Sequence, residues 1–267
     1  MADEWQSMTW SDGEAYEKFM GQWSRVAGRV FLDWLSLPNG LKWLDVGCGT
    51  GAFTETIQEL SSVGELVAID ISEAQLAYAR SRNHSDAVTF QVTDARSLPF
   101  DNDRFDVAVS ALVFNFIPDR EKALSEMNRV VRPNGTLGAY VWDFAGKSGI
   151  NQHLNLAIAE LQGADYKPKE RNDESTTQDS LRKLFSDAGL GDVLTRAIEI
   201  PVHFNDLDDY WNSNTTRFGA QLGAFVHGLS EAERQRLRSL VLQKLPVAPD
   251  GRIAYTARVN AVKGRRI

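Results

Sequence analysis

The chain has 267 residues, 29 basic and 36 acidic side chains, a formal net charge of -7 and 43% hydrophobic residues, a balance that supports a buried core and excludes disordered and collagen-like classes. The acidic charge and the scatter of the basic residues argue against a surface that tracks nucleic acid. No apolar run reaches the ~18 to 20 residues of a membrane span, the N-terminus lacks the basic start and apolar core of a signal peptide, and the lone Cys48 excludes an internal disulfide or thiolate metal cluster, so a cytoplasmic location is expected.

Residues 1–40 hold Trp5, Trp10, Tyr16, Phe19, Trp23, Val30, Phe31 and Trp34, with near-helical spacing from about Tyr16, and predict two helices that either pack on a core or form a lid. Pro38-Asn39-Gly40 ends this preamble as a turn. From residue 41 apolar strands alternate with amphipathic helices, the pattern of parallel βαβ units. Strands are expected at about 42–46, 65–70, 87–92, 105–110 and 135–142, and helices at about 52–61, 73–82 and 119–131. Asn134-Gly135 reads as a turn into the fifth strand.

Beyond residue 143 the pattern weakens. A helix at about 150–162 precedes a polar stretch, Ala164 to Gln178, read as a mobile loop. A helix over 179–188 and a strand over 193–202 follow, then helices near 207–211, 218–225 and 230–245, the last opened by the capping box Ser230 to Glu233. Gly251 to Val262 closes the chain as a strand antiparallel to its neighbour. The expected architecture is α/β: a Rossmann-like, doubly wound, seven-stranded and mostly parallel sheet. Its parts are an N-terminal helical lid (1–40), the sheet core (41–204 and 246–267) and a helical cap insertion (205–245).

Chemistry concentrates at Leu44-Asp45-Val46-Gly47-Cys48-Gly49-Thr50-Gly51, where an apolar strand breaks into a glycine loop and then a helix. Such a loop brings backbone close to a ligand at a helix N-terminus, which suits a polar or anionic small molecule. Asp70, ending the second strand, can accept from two ribose hydroxyls and so marks a nucleoside. These two features also fit a nicotinamide-binding fold, because Gly47-x-Gly49-x-x-Ala52 satisfies a loose dinucleotide pattern. Taken singly, Asp45, Asp70 and Asp94 also read as capping or turn residues; at successive strand ends they define the ligand-binding edge of an open α/β sheet.

The loop motif is followed by Ala68-Ile69-Asp70-Ile71-Ser72, Asp94-Ala95 with Leu98-Pro99-Phe100, Phe105-Asp106-Val107 leading to Ile117-Pro118-Asp119, and Val131-Arg132-Pro133-Asn134-Gly135. In that order they resemble the class I S-adenosylmethionine-dependent methyltransferases, over about residues 40–145, and in particular the small-molecule branch with the ubiquinone and menaquinone C-methylases. The resemblance implies S-adenosylmethionine as cofactor. It lays Gly47, Gly49 and Gly51 along the methionine portion and gives its amino group to Asp45 and to the carbonyl of Ser110. Asp70 would take the ribose, Ile71 would pack on adenine, and Asp94 and the Ala95 N–H would read the adenine edge. Gln75 stands where relatives carry methionine near the adenine; Tyr16 and Arg25 match a lid tyrosine and an arginine for the cofactor carboxylate, although Arg25 equally suits a surface salt bridge.

Methyl transfer needs alignment more than a nucleophile triad. Relatives often carry a histidine near Phe114-Asn115-Phe116, and this chain has none there. The four histidines are His84, His153, His203 and His227; His84 reads as solvated, and the other three as surface or core residues that could enter the pocket. No metal site is expected. Acceptor specificity is assigned to Phe114, Asn115, Phe116, Trp142, Tyr210, Trp211 and Phe218, a set that suits a flat or apolar small molecule but also suits packing. Two rivals stand beside an active methyltransferase: a nicotinamide-dependent oxidoreductase, and a cofactor-binding relative without turnover. The acceptor, the atom methylated and the oligomeric state are open.

Overall fold

A computed structural model describes residues 21–83, 85–146, 148–163, 173–215 and 220–267. Residues 1–20 with Tyr16, His84, residues 164–172 of the stretch expected to be a mobile loop, and Phe218 lie outside the described residues. The first helix among the described residues, α1 (Gln22–Leu35), presents Trp23, Ala27, Phe31 and Leu35 to the interior at a spacing of four residues. It ends at Ser36, whose φ of 53° is left-handed. This half of the preamble is core. Its docking is tied by the Tyr140 hydroxyl, which donates to the Ser24 carbonyl at 3.3 Å.

The strands are β1 (Lys42–Val46), β2 (Glu65–Asp70), β3 (Val88–Val92), β4 (Phe105–Ala111), β5 (Val131–Trp142), β6 (Leu190–Phe204) and β7 (Ile253–Arg266). They form one sheet in the order β3-β2-β1-β4-β5-β7-β6. The contacts among β1 to β5 are parallel, and β7 runs antiparallel between β5 and β6. β1, β2 and β4 read as nearly unbroken apolar runs because helices cover both of their faces.

Between the strands lie α2 (Ala52–Leu60), α3 (Glu73–Arg82) and α4 (Arg120–Val130), then α5 (Gln152–Gln162) and α6 (Gln178–Asp187). After β6 come α7 (Leu207–Thr215), α8 (Ala220–Gly228) and α9 (Glu231–Lys244). Short polar side chains start four of them. Ser72, Asp119 and Thr177 each accept from a backbone N–H in the first turn, and Ser230 with Glu233 forms the expected capping box. One face of the sheet packs on α1, α2, α5, α7 and α9 through Phe31, Phe53, Leu154, Tyr210 and Leu237. The other packs on α4 and α6 through Leu124, Met127, Leu181 and Phe185.

Three expectations change in detail. Asn134-Gly135 does not precede the fifth strand: β5 already pairs at Phe105–Val131, and the register then jumps to Val107–Thr136. Asn134, with φ of 63°, lies in that bulge. The polar stretch after α5 ends in an anchored 3₁₀ turn (Asp173–Thr176), not in mobile chain. Its buried Thr176 carbonyl accepts from Asn260 Nδ2 at 2.9 Å, and Arg120 holds the Ser175 carbonyl at 3.1 Å. The last strand also runs on to Arg266.

β6 and β7 outrun the rest of the sheet. β5 stops where Trp142 faces Val259, whereas β6 and β7 stay paired back to Phe204 opposite Ile253. At about 3.3 Å per residue this overhang rises roughly 20 Å past the edge. Its inner face carries Ile200, Val202 and Phe204. Among the described residues no helix is long and apolar enough to cross a membrane.

Candidate functional site

The carboxyl ends of the central strands meet at one edge, where open α/β sheets bind ligands. β1 leaves the sheet at Val46 and turns at once, with Gly47 at φ 76°. The N–H groups of Gly47 and Cys48 both donate to the Ile69 carbonyl, at 2.8 and 2.9 Å. A Cβ on Gly47 would lie 2.2 Å from Val113 Cγ1, so only glycine allows the loop this close to the β4 end. Gly51, at φ 85°, starts α2 from the left-handed region.

The loop is pinned from the side by Asp70. Gly49 N–H donates to Asp70 Oδ2 at 2.9 Å, and Ser72 N–H to Oδ1 at 2.8 Å. Burial lifts the Asp70 carboxyl above its ordinary range, and these N–H groups pull it back. Each oxygen retains a lone pair for a hydroxyl donor. Gln75 is buried on α3 and directs Oε1 towards Gly49, where an added Cβ would be 3.9 Å away. Ile71 is half-buried beside it.

Asp45 is fully buried at the base of the loop. Thr54 Oγ1 donates to its Oδ2 at 2.7 Å, while Oδ1 has no partner among the described residues. Burial pushes its carboxyl up to about 7; the Thr54 hydroxyl opposes this and the neighbouring Asp70 charge adds to it. A buried acceptor without a donor is costly, so a cationic or N–H-bearing ligand group has a ready partner there. Cys48 fills space: burial pushes its thiol well up, so it holds no thiolate.

At the end of β3, Asp94 is half-exposed and held by Arg96. Nη2 donates at 2.7 Å, Nε at 3.0 and 3.1 Å, and the Arg96 N–H at 2.9 Å. That pairing holds the carboxyl below its usual range. The arginine was not singled out in the sequence, although a partner two residues away is a local signal. Ala95 is half-buried next to Asp94. Ser110 is fully buried in β4, with its hydroxyl unpartnered among the described residues. Arg25, on α1, is ion-paired with Glu55 at 2.6 Å; Glu55 is also 3.3 Å from Arg82. The structure therefore gives Arg25 a protein carboxylate and ties α1 to α2. Tyr16 lies outside the described residues.

Past Ser110 the chain takes a turn that no sequence pattern announces. Leu112 adopts φ 61°, a costly conformation for leucine, while its N–H donates to the Tyr140 carbonyl at 2.8 Å. The turn aims Val113 at Gly47 and sets a 3₁₀ turn (Phe114–Phe116) against β5.

The aromatic set divides. Phe114 is fully buried, 6.4 Å from Phe185 of α6, so it packs the core instead of lining an acceptor site. Tyr210 is also fully buried; its hydroxyl accepts from Leu154 N–H at 3.1 Å, and burial drives its phenol well up. Trp211 is half-buried with Arg238 5.9 Å over its ring. Phe116 stands 6.5 Å from Phe144. Asn115 Oδ1 and Trp142 Nε1 are buried without partners among the described residues. His153 lies 4.7 Å from Tyr255, and burial pushes its imidazole below the usual histidine range. His203 and His227 are exposed. Among the described residues no group of three His, Cys, Asp or Glu could hold a metal ion.

Comparison with known proteins places this geometry. Residues 44–139 match a family model described as a methyltransferase domain. A demethylmenaquinone methyltransferase of Staphylococcus aureus is 38% identical over 109 residues, 40% of this chain and 45% of that protein, so the match spans less than half of the relative. In fold, a SAM-dependent methyltransferase from Aquifex aeolicus covers 96% of this chain and 99% of its own, with a TM-score of 0.56 at 16% identity. A phosphoethanolamine N-methyltransferase of Haemonchus contortus, solved in complex with S-adenosyl-L-methionine, covers 94% of this chain and 56% of its own, with a TM-score of 0.57 at 18% identity. This chain therefore carries a methyltransferase domain at residues 44–139, within the seven-stranded fold that S-adenosylmethionine-dependent methyltransferases share.

Proposed function

We propose that the protein transfers a methyl group from S-adenosylmethionine to a small aromatic or apolar acceptor. The observation that carries this reading is the buried Asp45, with Oδ1 lacking a partner among the described residues, at the base of a glycine loop pinned to Asp70. A primary ammonium is the group such a carboxylate accommodates, and Asp70 is placed for vicinal hydroxyls one strand away. Together they suit an amino acid joined to a nucleoside.

In this reading Gly47, Gly49 and Gly51 hold the methionine portion, Asp45 and the Ser110 carbonyl its amino group, and Asp70 the ribose. Ile71, Gln75, Asp94 and Ala95 hold the adenine. When bound, the cofactor supplies a methyl group activated by its sulfonium. The protein's own task is to hold the acceptor in line and keep water out, for which orientation is the main rate term. The apolar overhang of β6 and β7 and the aromatic residues near Trp142 support an acceptor with a flat or apolar body, in keeping with the quinone-type substrate that the name of the Staphylococcus relative implies. We take 205–245 as a cap, in a cytoplasmic protein that acts without nucleic acid; α1 is core, which leaves no lid role for residues 22–35.

Titration calorimetry with S-adenosylmethionine, followed by transfer of a labelled methyl group to a panel of quinols, phenols and amines, tests the proposal. Binding with turnover on one class is expected. Asp70→Ala should weaken cofactor binding about 10- to 100-fold, the effect of losing charged hydrogen bonds. Tight NADH binding with no response to S-adenosylmethionine sinks the reading; binding with no turnover on any acceptor leaves only the cofactor half.

A further inference from the structure

Arg96 turns back on a neighbour two residues away. Asp94 Oδ1 accepts from the Arg96 backbone N–H at 2.9 Å and from Nε at 3.0 Å; Oδ2 accepts from Nη2 at 2.7 Å and from the same Nε at 3.1 Å. Both side chains are 35% exposed, where an ion pair adds little stability. The pair also ties no element to another. That task falls to α4: Glu126 takes the Leu98 N–H at 2.9 Å, and Arg129 donates to the Leu98 and Phe100 carbonyls at 2.9 and 2.8 Å. The stretch after β3 is therefore anchored without Arg96.

What the pair fixes is the Asp94 carboxylate. A carboxylate offers about four acceptor sites. The backbone N–H and Nε fill both on Oδ1, and Nη2 fills one on Oδ2, so one remains. The same pairing holds the carboxyl below its usual range, so the remaining site accepts and does not donate. The backbone on either side is set as well. Thr93 N–H donates to the Asp70 carbonyl at 3.0 Å, which holds Asp94 beside the end of β2, and Ser97 N–H donates to the Asp94 carbonyl at 3.0 Å.

We propose that Arg96 is a positioning residue for the purine of the cofactor: its fork fixes the Asp94 carboxylate with one open acceptor site, which receives a single N–H from a 6-amino purine. An unpaired aspartate turns about its side-chain bonds and is hydrated, whereas the bidentate fork removes that freedom before the ligand arrives. A 6-oxo purine presents a lone pair at the same place and is repelled by the carboxylate. Arg96 thus acts through Asp94 and makes no contact of its own with the base. The inference rests on the reading that Asp94 faces the adenine, and the experiment below separates the two.

The test is binding of adenosine, purine riboside and inosine to the full chain, read by displacement of S-adenosylhomocysteine in calorimetry. These nucleosides carry no amino acid and leave Asp45 untouched. Purine riboside lacks only the 6-amino group, and inosine replaces it by oxygen. The wild type should bind adenosine about tenfold tighter than purine riboside, the size of one hydrogen bond to a charged group, and inosine weakest. Arg96→Met keeps an unbranched apolar stem and deletes the fork. It should bring adenosine within about threefold of purine riboside, leave purine riboside within about threefold of its wild-type affinity, and keep the melting temperature within about 3 °C. Arg96→Lys restores the charge without the fork and should follow Arg96→Met. An unchanged adenosine preference in Arg96→Met, an equal loss for all three nucleosides, or full recovery in Arg96→Lys overturns the proposal. If the wild type binds S-adenosylhomocysteine but holds adenosine and purine riboside equally, this proposal falls and the methyltransferase reading stands; if S-adenosylhomocysteine itself does not bind, that reading falls and takes the proposal with it.

Discussion

The edge formed by β1, β2 and β4 and the overhang formed by β7 and β6 hold polar groups in opposite ways. At the first, backbone does the work: Ile69 carbonyl takes two N–H groups of the glycine loop, and Asp70 takes those of Gly49 and Ser72. At the second, side chains set far apart in sequence converge, as when Trp23 lies 6.2 Å from Phe204 and the Tyr255 hydroxyl donates to the Ile150 carbonyl at 2.5 Å. A site built from backbone can be the same for every acceptor, whereas one built from packed side chains can be re-cut without disturbing the cofactor. The comparison breaks if a mutation on one side moves a property of the other.

The largest effect is expected at Gly47. A methyl there would press on Val113 Cγ1 at 2.2 Å, from a backbone held at φ 76°. Strain of about 1–3 kcal/mol adds to overpacking of about 1–3 kcal/mol, so Gly47→Ala should weaken S-adenosylmethionine binding about a hundredfold and lower the melting temperature. At Gly49 the nearest atom to a new Cβ is Gln75 Oε1 at 3.9 Å, so Gly49→Ala should melt nearer to wild type while its methyl intrudes on the ligand side. Calorimetry and thermal melts of the two variants separate crowding of the loop from crowding of the cradle. If Gly47→Ala binds like the wild type, the interlock with Val113 does not shape the site.

This division also explains what the sequence disclosed. The strand ends at Asp45, Asp70 and Asp94 and the glycines between them are local devices, each needing a particular residue at a particular place, so they can be read in order. The order of the strands follows from right-handed βαβ units. Other features rest on contacts between distant residues. Arg25 finds Glu55 only once α1 lies on α2, and Phe114 turns to Phe185 only once α6 packs. The left-handed Leu112 contradicts the preference of its own residue type, which is why no reading of the chain finds it. The aromatic residues were visible as a group, but helical spacing cannot distinguish a wall from a core.

Asp45 offers a pH test confined to the cofactor edge. Its carboxyl is raised from 3.8 to about 7, so the folded chain holds this proton more tightly than the unfolded chain does. Its contribution to stability is therefore greatest below about pH 4 and declines as pH rises towards 7. A ligand ammonium against Oδ1 favours the ionised form, so binding releases a proton below pH 7. Affinity for S-adenosylmethionine should rise with pH, by at most about tenfold per unit, and level off above about 7. Asp45→Asn should flatten that dependence. Calorimetry in buffers of different ionisation enthalpy counts the proton; no release at pH 6 removes Asp45 from the ammonium site.

The smallest effect on binding should come from Tyr210, which tests the overhang as scaffold. Its hydroxyl accepts from Leu154 N–H in the first turn of α5, one of the groups that a helix cannot satisfy internally. Tyr210→Phe keeps the ring contact with Phe204 and leaves that buried donor alone, at a cost of about 1–3 kcal/mol. At roughly 2–4 °C per kcal/mol for a chain of this size, the melting temperature should fall by several degrees. Cofactor affinity should be unchanged, because the hydroxyl is already committed to α5. A variant with wild-type melting but weakened methyl transfer to the acceptor would instead make Tyr210 an acceptor ligand, and the boundary between wall and core would then run through α7.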